Sequence, residues 1–197
     1  MAYVDLATIF DPAPDEAPPA EWGDQIRDNL AYFYERTERV IARAVLAAPA
    51  ALISSGTLPA VPNGWMLRFV FRVRHATGTE NLRGRFNGDS SFLYNHDDNA
   101  VTGAANNPNS ATSQDSFRCE GVSSIANQWT IGDFKVPDYL AADHKSFIGN
   151  TGRNGVTMTT SGIWRSTAPI SSVQVFPAAG NLATGSSLIV LATPLPV

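Results

Sequence analysis

The residues that could do chemistry are few and scattered. Three histidines, His75, His96 and His144, stand apart from one another. His96 lies in Tyr94-Asn95-His96-Asp97-Asp98-Asn99, where carboxylates and amides crowd together as they do in a divalent-metal loop. A calcium loop sets its oxygen ligands at fixed offsets and uses a glycine for the sharp turn. This segment lacks that register and reads as a solvated loop rather than a metal site. Nucleophile motifs are as thin. Gly-x-Ser-x-Gly is absent, and Ser161-Gly162 and Gly185-Ser186 mark turns and strand starts. Gly149-Asn150-Thr151-Gly152 has no lysine and precedes no helix, so it does not cradle a phosphate. Asp89, Asp97 and Asp138 could meet in space as a glycosidase pair, but nothing in their spacing requires it. The one cysteine, Cys119, allows no internal disulfide and no multi-cysteine zinc site. In Phe117-Arg118-Cys119-Glu120-Gly121 it reads as a small core residue of a strand rather than a reactive thiol. The chain is therefore expected to be no enzyme and to need no metal and no cofactor.

Binding is the better use of these residues. Residues 95–116 are dominated by Asn, Asp, Ser, Thr and Gly and read as one long exposed loop. Long loops on a rigid scaffold often carry recognition. Asn95, Asp97, Asp98 and Asn99, joined by an aromatic ring from Trp129, Trp164 or Tyr139, are the candidate contacts for a sugar. The plainer alternative for the same segment is a turn and a contact between subunits.

Composition limits what can hold such a loop. The chain has 197 residues, 44% hydrophobic and only 16% charged, with 15 Gly and 13 Pro. It is long enough to bury a core. The low charge, offset by Ser, Thr, Asn and Gly, suits turn-rich β-structure and excludes a highly charged disordered chain. Residues 1–48 hold nine acids against four Arg, net −5; the remainder holds nine acids against ten bases, net +1. No basic patch for a nucleic acid is present. No stretch approaches the apolar length of a membrane span, and the start has neither the basic nor the apolar region of a secretory signal. Neither nucleic acid nor membrane is expected as a partner.

The pattern changes along the chain. Residues 1–19 are proline-rich and extended, with no core of their own; Tyr3, Leu6, Ile9 and Phe10 are candidate anchors on some host surface. Residues 20–48 read as a helix, opened by Pro19 and carrying Ile26, Leu30, Phe33, Thr37, Val40 and Ala44 at alternating spacings of 4 and 3. That spacing fits either one amphipathic helix on its own domain or a short parallel coiled coil between subunits. Residues 49–59 read as a linker. From residue 60 to 197 the period becomes 2, clearest in Trp65-Met66-Leu67-Arg68-Phe69-Val70-Phe71-Arg72-Val73-Arg74. Strands are expected at 65–74, 82–87, 91–95, 116–122, 127–134, 144–148, 155–165, 170–176 and 186–193. The fold class is mainly β: an extended arm and a single α-helix, followed by an antiparallel jelly-roll-like β-sandwich.

Three blocks then carry a family resemblance. Ala20-Glu21-Trp22-Gly23-Asp24-Gln25-Ile26-Arg27-Asp28-Asn29-Leu30 resembles an opening helix of tailed-bacteriophage virion proteins, with Gly23 where that pattern has Asn. Arg85-Phe86-Asn87-Gly88-Asp89, followed by Tyr94, resembles a hairpin of phage β-sandwich proteins. Gly162-Ile163-Trp164-Arg165-Ser166-Thr167-Ala168-Pro169-Ile170-Ser171-Ser172-Val173 and the stretch Leu182 to Leu191 resemble their closing strands. Those closing strands often end in Leu-Tyr-Gly, where this chain has Leu191-Ala192-Thr193. The resemblance implies a structural protein on the outside of a virion, a homotrimer docked on a major capsid or tail protein of the same particle. It implies assembly in the host cytoplasm. It leaves open whether the place is a capsid decoration or a minor tail or fibre component with a host-attachment role.

Overall fold

The computed structural model describes residues 37–59, 61, 64–77, 80–103, 105–120 and 128–195. The chain separates into two units, residues 1–38 and 39–197. Tyr3, Leu6, Ile9, Phe10, Ile26, Leu30 and Phe33, and with them the arm and most of the expected helix, lie outside the described residues.

The second unit is all-β among the described residues. Its strands are β1 (Arg39–Val45), β2 (Ile53–Ser54), β3 (Trp65–Val73), β4 (Leu82–Phe86), β5 (Tyr94–Thr102), β6 (Ala105–Gln114), β7 (Phe117–Arg118), β8 (Thr130–Val136), β9 (Lys145–Arg153), β10 (Val156–Trp164), β11 (Val173–Pro177) and β12 (Ser187–Pro194). Eight form one sheet in the order β1-β12-β3-β8-β9-β10-β5-β6; four form a second in the order β2-β11-β4-β7. Every pairing is antiparallel.

Alternation builds the two layers. On β3, Trp65, Leu67, Phe69, Phe71 and Val73 are buried, while Arg72 is exposed. Arg68 faces the other side and grips Asp133 of β8 with two hydrogen bonds, Nε–H to Oδ1 at 2.9 Å and Nη2–H to Oδ2 at 2.7 Å. The buried rings meet across the layers. Phe117 of the small sheet lies 4.7 Å from Phe147 of the large one, and Phe86 lies 5.7 Å from Trp164. Such face-to-face packing of two hydrophobic faces makes this a β-sandwich. The rings need room, and glycines supply it. A Cβ on Gly132 would come within 2.1 Å of Phe71, and one on Gly149 within 2.2 Å of Phe134. Each ring lies over a bare stretch of the neighbouring strand's backbone.

Two expectations are corrected here. The helix does not run to residue 48: Arg39–Val45 is a strand, paired with β12 from Arg39↔Ala192 to Val45↔Ser187. Val40 and Ala44 are therefore not successive turns of one helical seam. Ile41, Ala42, Ala44 and Leu46 pack on the core, whereas Val40 is 62% exposed. The 4-3 spacing counted Val40 and Ala44 but overlooked the β-branched cluster Val40, Ile41 and Val45, which favours a strand where a sheet edge is open to receive it. Thr37 is exposed and lies in a bend. Second, the β-unit begins at Arg39 rather than at residue 60. The expected linker contributes β2, and Ala50 forms a bridge with Leu182.

Candidate functional site

The segment expected as a long loop is a hairpin. Residues 95–116 fall mainly in β5 and β6, paired from Thr102↔Ala105 to Tyr94↔Gln114 with an irregularity between Tyr94 and His96. Their polar composition hid the strands because β6 is an edge strand. It is exposed along most of its length and has no hydrophobic face to mark it.

Alternation along β5 sorts the candidate receptor residues onto two faces. Asp97 and Asn99 are exposed on the outer face and Asn95 is partly so, while Asp98 is buried on the inner face with His96. Strand geometry thus separates four residues that are adjacent in sequence. Asp97 and Asn99 line an open groove of about 670 Å³ with Pro108, Ser110, Thr159 and Ser161, and Asp98 and Asn109 border it as well. Among the described residues no aromatic ring lines it. Trp164 and Tyr139 are core residues, and Trp129 lies under the guanidinium groups of Arg72 and Arg74, at 3.9 and 4.9 Å.

The inner face holds a polar cluster inside the sandwich. Asp98 accepts a hydrogen bond from Asn109 Nδ2 at 2.9 Å, and Arg118 Nη1 lies 3.4 Å from its Oδ1. His96 Nε2 is 3.7 Å from Asp98 Oδ2, too far for a hydrogen bond, and neither ring nitrogen of His96 has a hydrogen-bond partner. Burial lowers the His96 pKa against the opposing pull of Asp98, so the ring is neutral near pH 7. A second opening, about 330 Å³, is bordered by this ring. His96, Asn81, Arg83, Asn109, Gln114 and Arg118 are among the residues that line it.

Glu120 is a further buried acid. It pairs with Arg153 and accepts a hydrogen bond from Thr130 Oγ1 at 3.3 Å. Burial raises its pKa to about 7 despite Arg153. The sequence offers His96 only as part of a metal-like loop, set aside as solvated, and gives Glu120 no functional role. Only the inward phase of β5 distinguishes His96 from its exposed neighbours.

The acids considered as a hydrolytic pair have other work. Asp89 accepts hydrogen bonds from Trp164 Nε1 and from the Ser91 backbone N–H, both at 2.8 Å. Burial opposes ionisation there, but these bonds outweigh it and hold the carboxyl below its usual range. Asp97 is exposed on β5, and Asp138 takes a left-handed turn conformation with φ of 47°. Among the described residues no group of three or more His, Cys, Asp or Glu could hold a metal ion. Cys119 is buried, and burial raises its thiol pKa.

The second and third resemblance blocks meet in one knot. Phe86–Asp89 form a tight turn in which Asn87 and Gly88 have φ of 55° and 66°, the positive values that a type I′ turn requires. The Asn87 carboxamide donates to Pro169 O at 2.8 Å and accepts from the backbone N–H of Ser171 at 2.7 Å and of Ser172 at 3.1 Å. The Phe86 backbone N–H donates to Tyr94 Oη at 2.8 Å, and Arg85 reaches Asp115 at 2.6 Å. These motif residues therefore fasten the turn between β4 and β5 to the segment between β10 and β11.

No protein-family model matches the chain, and no curated protein does. Among solved structures the chain is similar to Caenorhabditis elegans galectin LEC-6, at 14% identity over 75% of this chain and 95% of that one, with a TM-score of 0.34. A likeness of that size carries no weight for function.

Proposed function

We propose that the chain is a non-enzymatic structural protein of a tailed-bacteriophage virion. In this reading residues 1–19 dock on a capsid or tail protein through Tyr3, Leu6, Ile9 and Phe10. Residues from 20 to the start of β1 join three copies through Ile26, Leu30 and Phe33, and the sandwich projects outward as a capsid decoration. The observation that carries the reading is the knot. Two blocks of the resemblance, about eighty residues apart, touch through Asn87, which supports reading them together. The classification as a jelly roll belongs to this proposal too. It is supported by the way the chain alternates between the two sheets through β1 to β5, and again through β6, β7 and β8. Deletion of residues 2–18 is expected to leave a soluble oligomer that no longer binds particles. A truncated protein that decorates particles at the normal level would refute the docking role. Copy number per particle separates head from tail: hundreds of copies mean the capsid lattice, a few mean the tail.

The outer groove beside Asp97 and Asn99 favours a second reading, a minor tail or fibre protein whose β-domain binds a host-surface saccharide. Its walls offer hydroxyl, amide and carboxylate groups to a polar ligand. Binding of the full chain to a glycan array would support it, and an array without signal would leave the purely structural role.

A further inference from the structure

We infer that the opening at the side of the sandwich, between the β5–β6 hairpin and the β4–β7 edge, is a binding site for a neutral, hydroxyl-rich ligand of the size of one sugar ring, with His96 at its floor. The inference rests on the saccharide reading and places the sugar on the inner side of β5 instead of the outer one.

The ring of His96 is the starting observation. It is 4% exposed, and neither nitrogen has a hydrogen-bond partner. A neutral imidazole carries one N–H donor and one acceptor. Leaving both unmet in a buried position costs the full desolvation of each group. Buried polar groups are ordinarily satisfied by protein, water or ligand. Here the ring borders an opening of about 330 Å³, at the lower end of the usual size of small-molecule sites.

The other walls narrow the ligand class. Asn81, Asn109 and Gln114 each offer a donor and an acceptor in the same opening. Arg83 and Arg118 stand at it as well, but each already faces a carboxylate: Arg83 has Asp115 at 3.5 Å, and Arg118 has Asp98 at 3.4 Å. An anionic ligand would have to compete with those acids. A hydroxyl does not, since it donates and accepts at once and so matches both an imidazole and a carboxamide. Several hydroxyls on one rigid ring would meet several of these groups with little loss of ligand freedom.

The test is a titration of the full chain, labelled with ¹⁵N at His, Asn and Gln. The probes are the methyl glycosides of galactose, glucose, mannose and N-acetylglucosamine, with methyl glucuronate and sodium acetate as anionic controls. The expected result is saturable movement of the His96 ring resonances and the Asn81 and Gln114 amide resonances with at least one neutral glycoside. His96→Gln, checked for an unchanged fold by circular dichroism, is expected to weaken that binding about ten-fold, as the loss of one good hydrogen bond would. Four outcomes overturn the inference. Movement confined to Asn99 and its neighbours places the sugar in the outer groove and leaves the saccharide reading standing. Movement with the anionic probes alone changes the ligand class. Binding that His96→Gln leaves at full strength removes the histidine from the site. Resonances that no probe moves remove both this site and the saccharide reading.

Discussion

Asn87 shows how much one side chain can hold. It sits in the left-handed region at φ 55° and closes three hydrogen bonds to a segment more than eighty residues away. Asn87→Ala is expected to cost about 2–3 kcal/mol, from lost hydrogen bonds and the left-handed penalty. Asn87→Gly should recover roughly 1 kcal/mol of it by removing that penalty. Urea denaturation of the three proteins measures both values. The buried titratable groups predict a pH dependence. His75 and His96 have pKa values lowered from 6.5, chiefly by burial. Below about pH 6.5 the unfolded chain therefore binds more protons at these sites, and stability falls as acid is added. Glu120 works the other way, because burial raises its pKa from 4.5 to about 7. Between those values the folded state holds more protons there, so acidification favours folding. His96→Gln should flatten the acid loss of stability below pH 6.5, and Glu120→Gln should steepen it between pH 7 and 4.5. Chemical denaturation at a series of pH values checks both slopes.

At the scale of elements, the pairing of rings with glycines sets the spacing of the core. Gly149→Ala would drive a methyl group against Phe134 and is expected to destabilise the protein by about 1–3 kcal/mol, with Phe134→Leu restoring part of the loss in the double variant. The thermal midpoints of the single and double variants decide it. The strands with one apolar face were legible in the sequence: residues 65–74, 82–87, 155–165 and 186–193 match β3, β4, β10 and β12 within two residues at each end. Their alternation follows from a sheet with one buried face, so period 2 was enough. The β5–β6 hairpin was not legible, because an edge strand open to solvent needs no apolar residues and reads like a loop. Strand β1 was missed for the opposite reason. Its mix of Val, Ile and Ala satisfies helical and strand spacing alike, and only the open edge of β12 decides between them. The candidate site suffered from the first of these effects. The residues Asn95 to Asn99 were found as a polar segment, but their division between two faces depends on a strand that the segment does not announce.

The whole β-unit is joined through its ends. β12 lies between β1 and β3, so β3, with its buried aromatic face, gains one of its two neighbours from residues 187–194. A fragment of residues 39–197 is expected to unfold in one cooperative transition. Starting at residue 49 instead removes β1 and opens the edge of β12, at a cost of roughly 2 kcal/mol or more, which corresponds to about 4–8 °C in a domain of this size. Differential scanning calorimetry of the two fragments tests this. The same arrangement governs the protein's first seconds. As a ribosome delivers the chain, β3 appears early with its aromatic face complete, yet its partner β12 is still to be translated more than a hundred residues later. The nascent chain must therefore carry an exposed, strand-forming hydrophobic segment through most of its synthesis. A shielding partner such as a chaperone would protect it in that interval, and premature termination before Ser187 would leave β1 without its partner and an edge of β3 open to self-association.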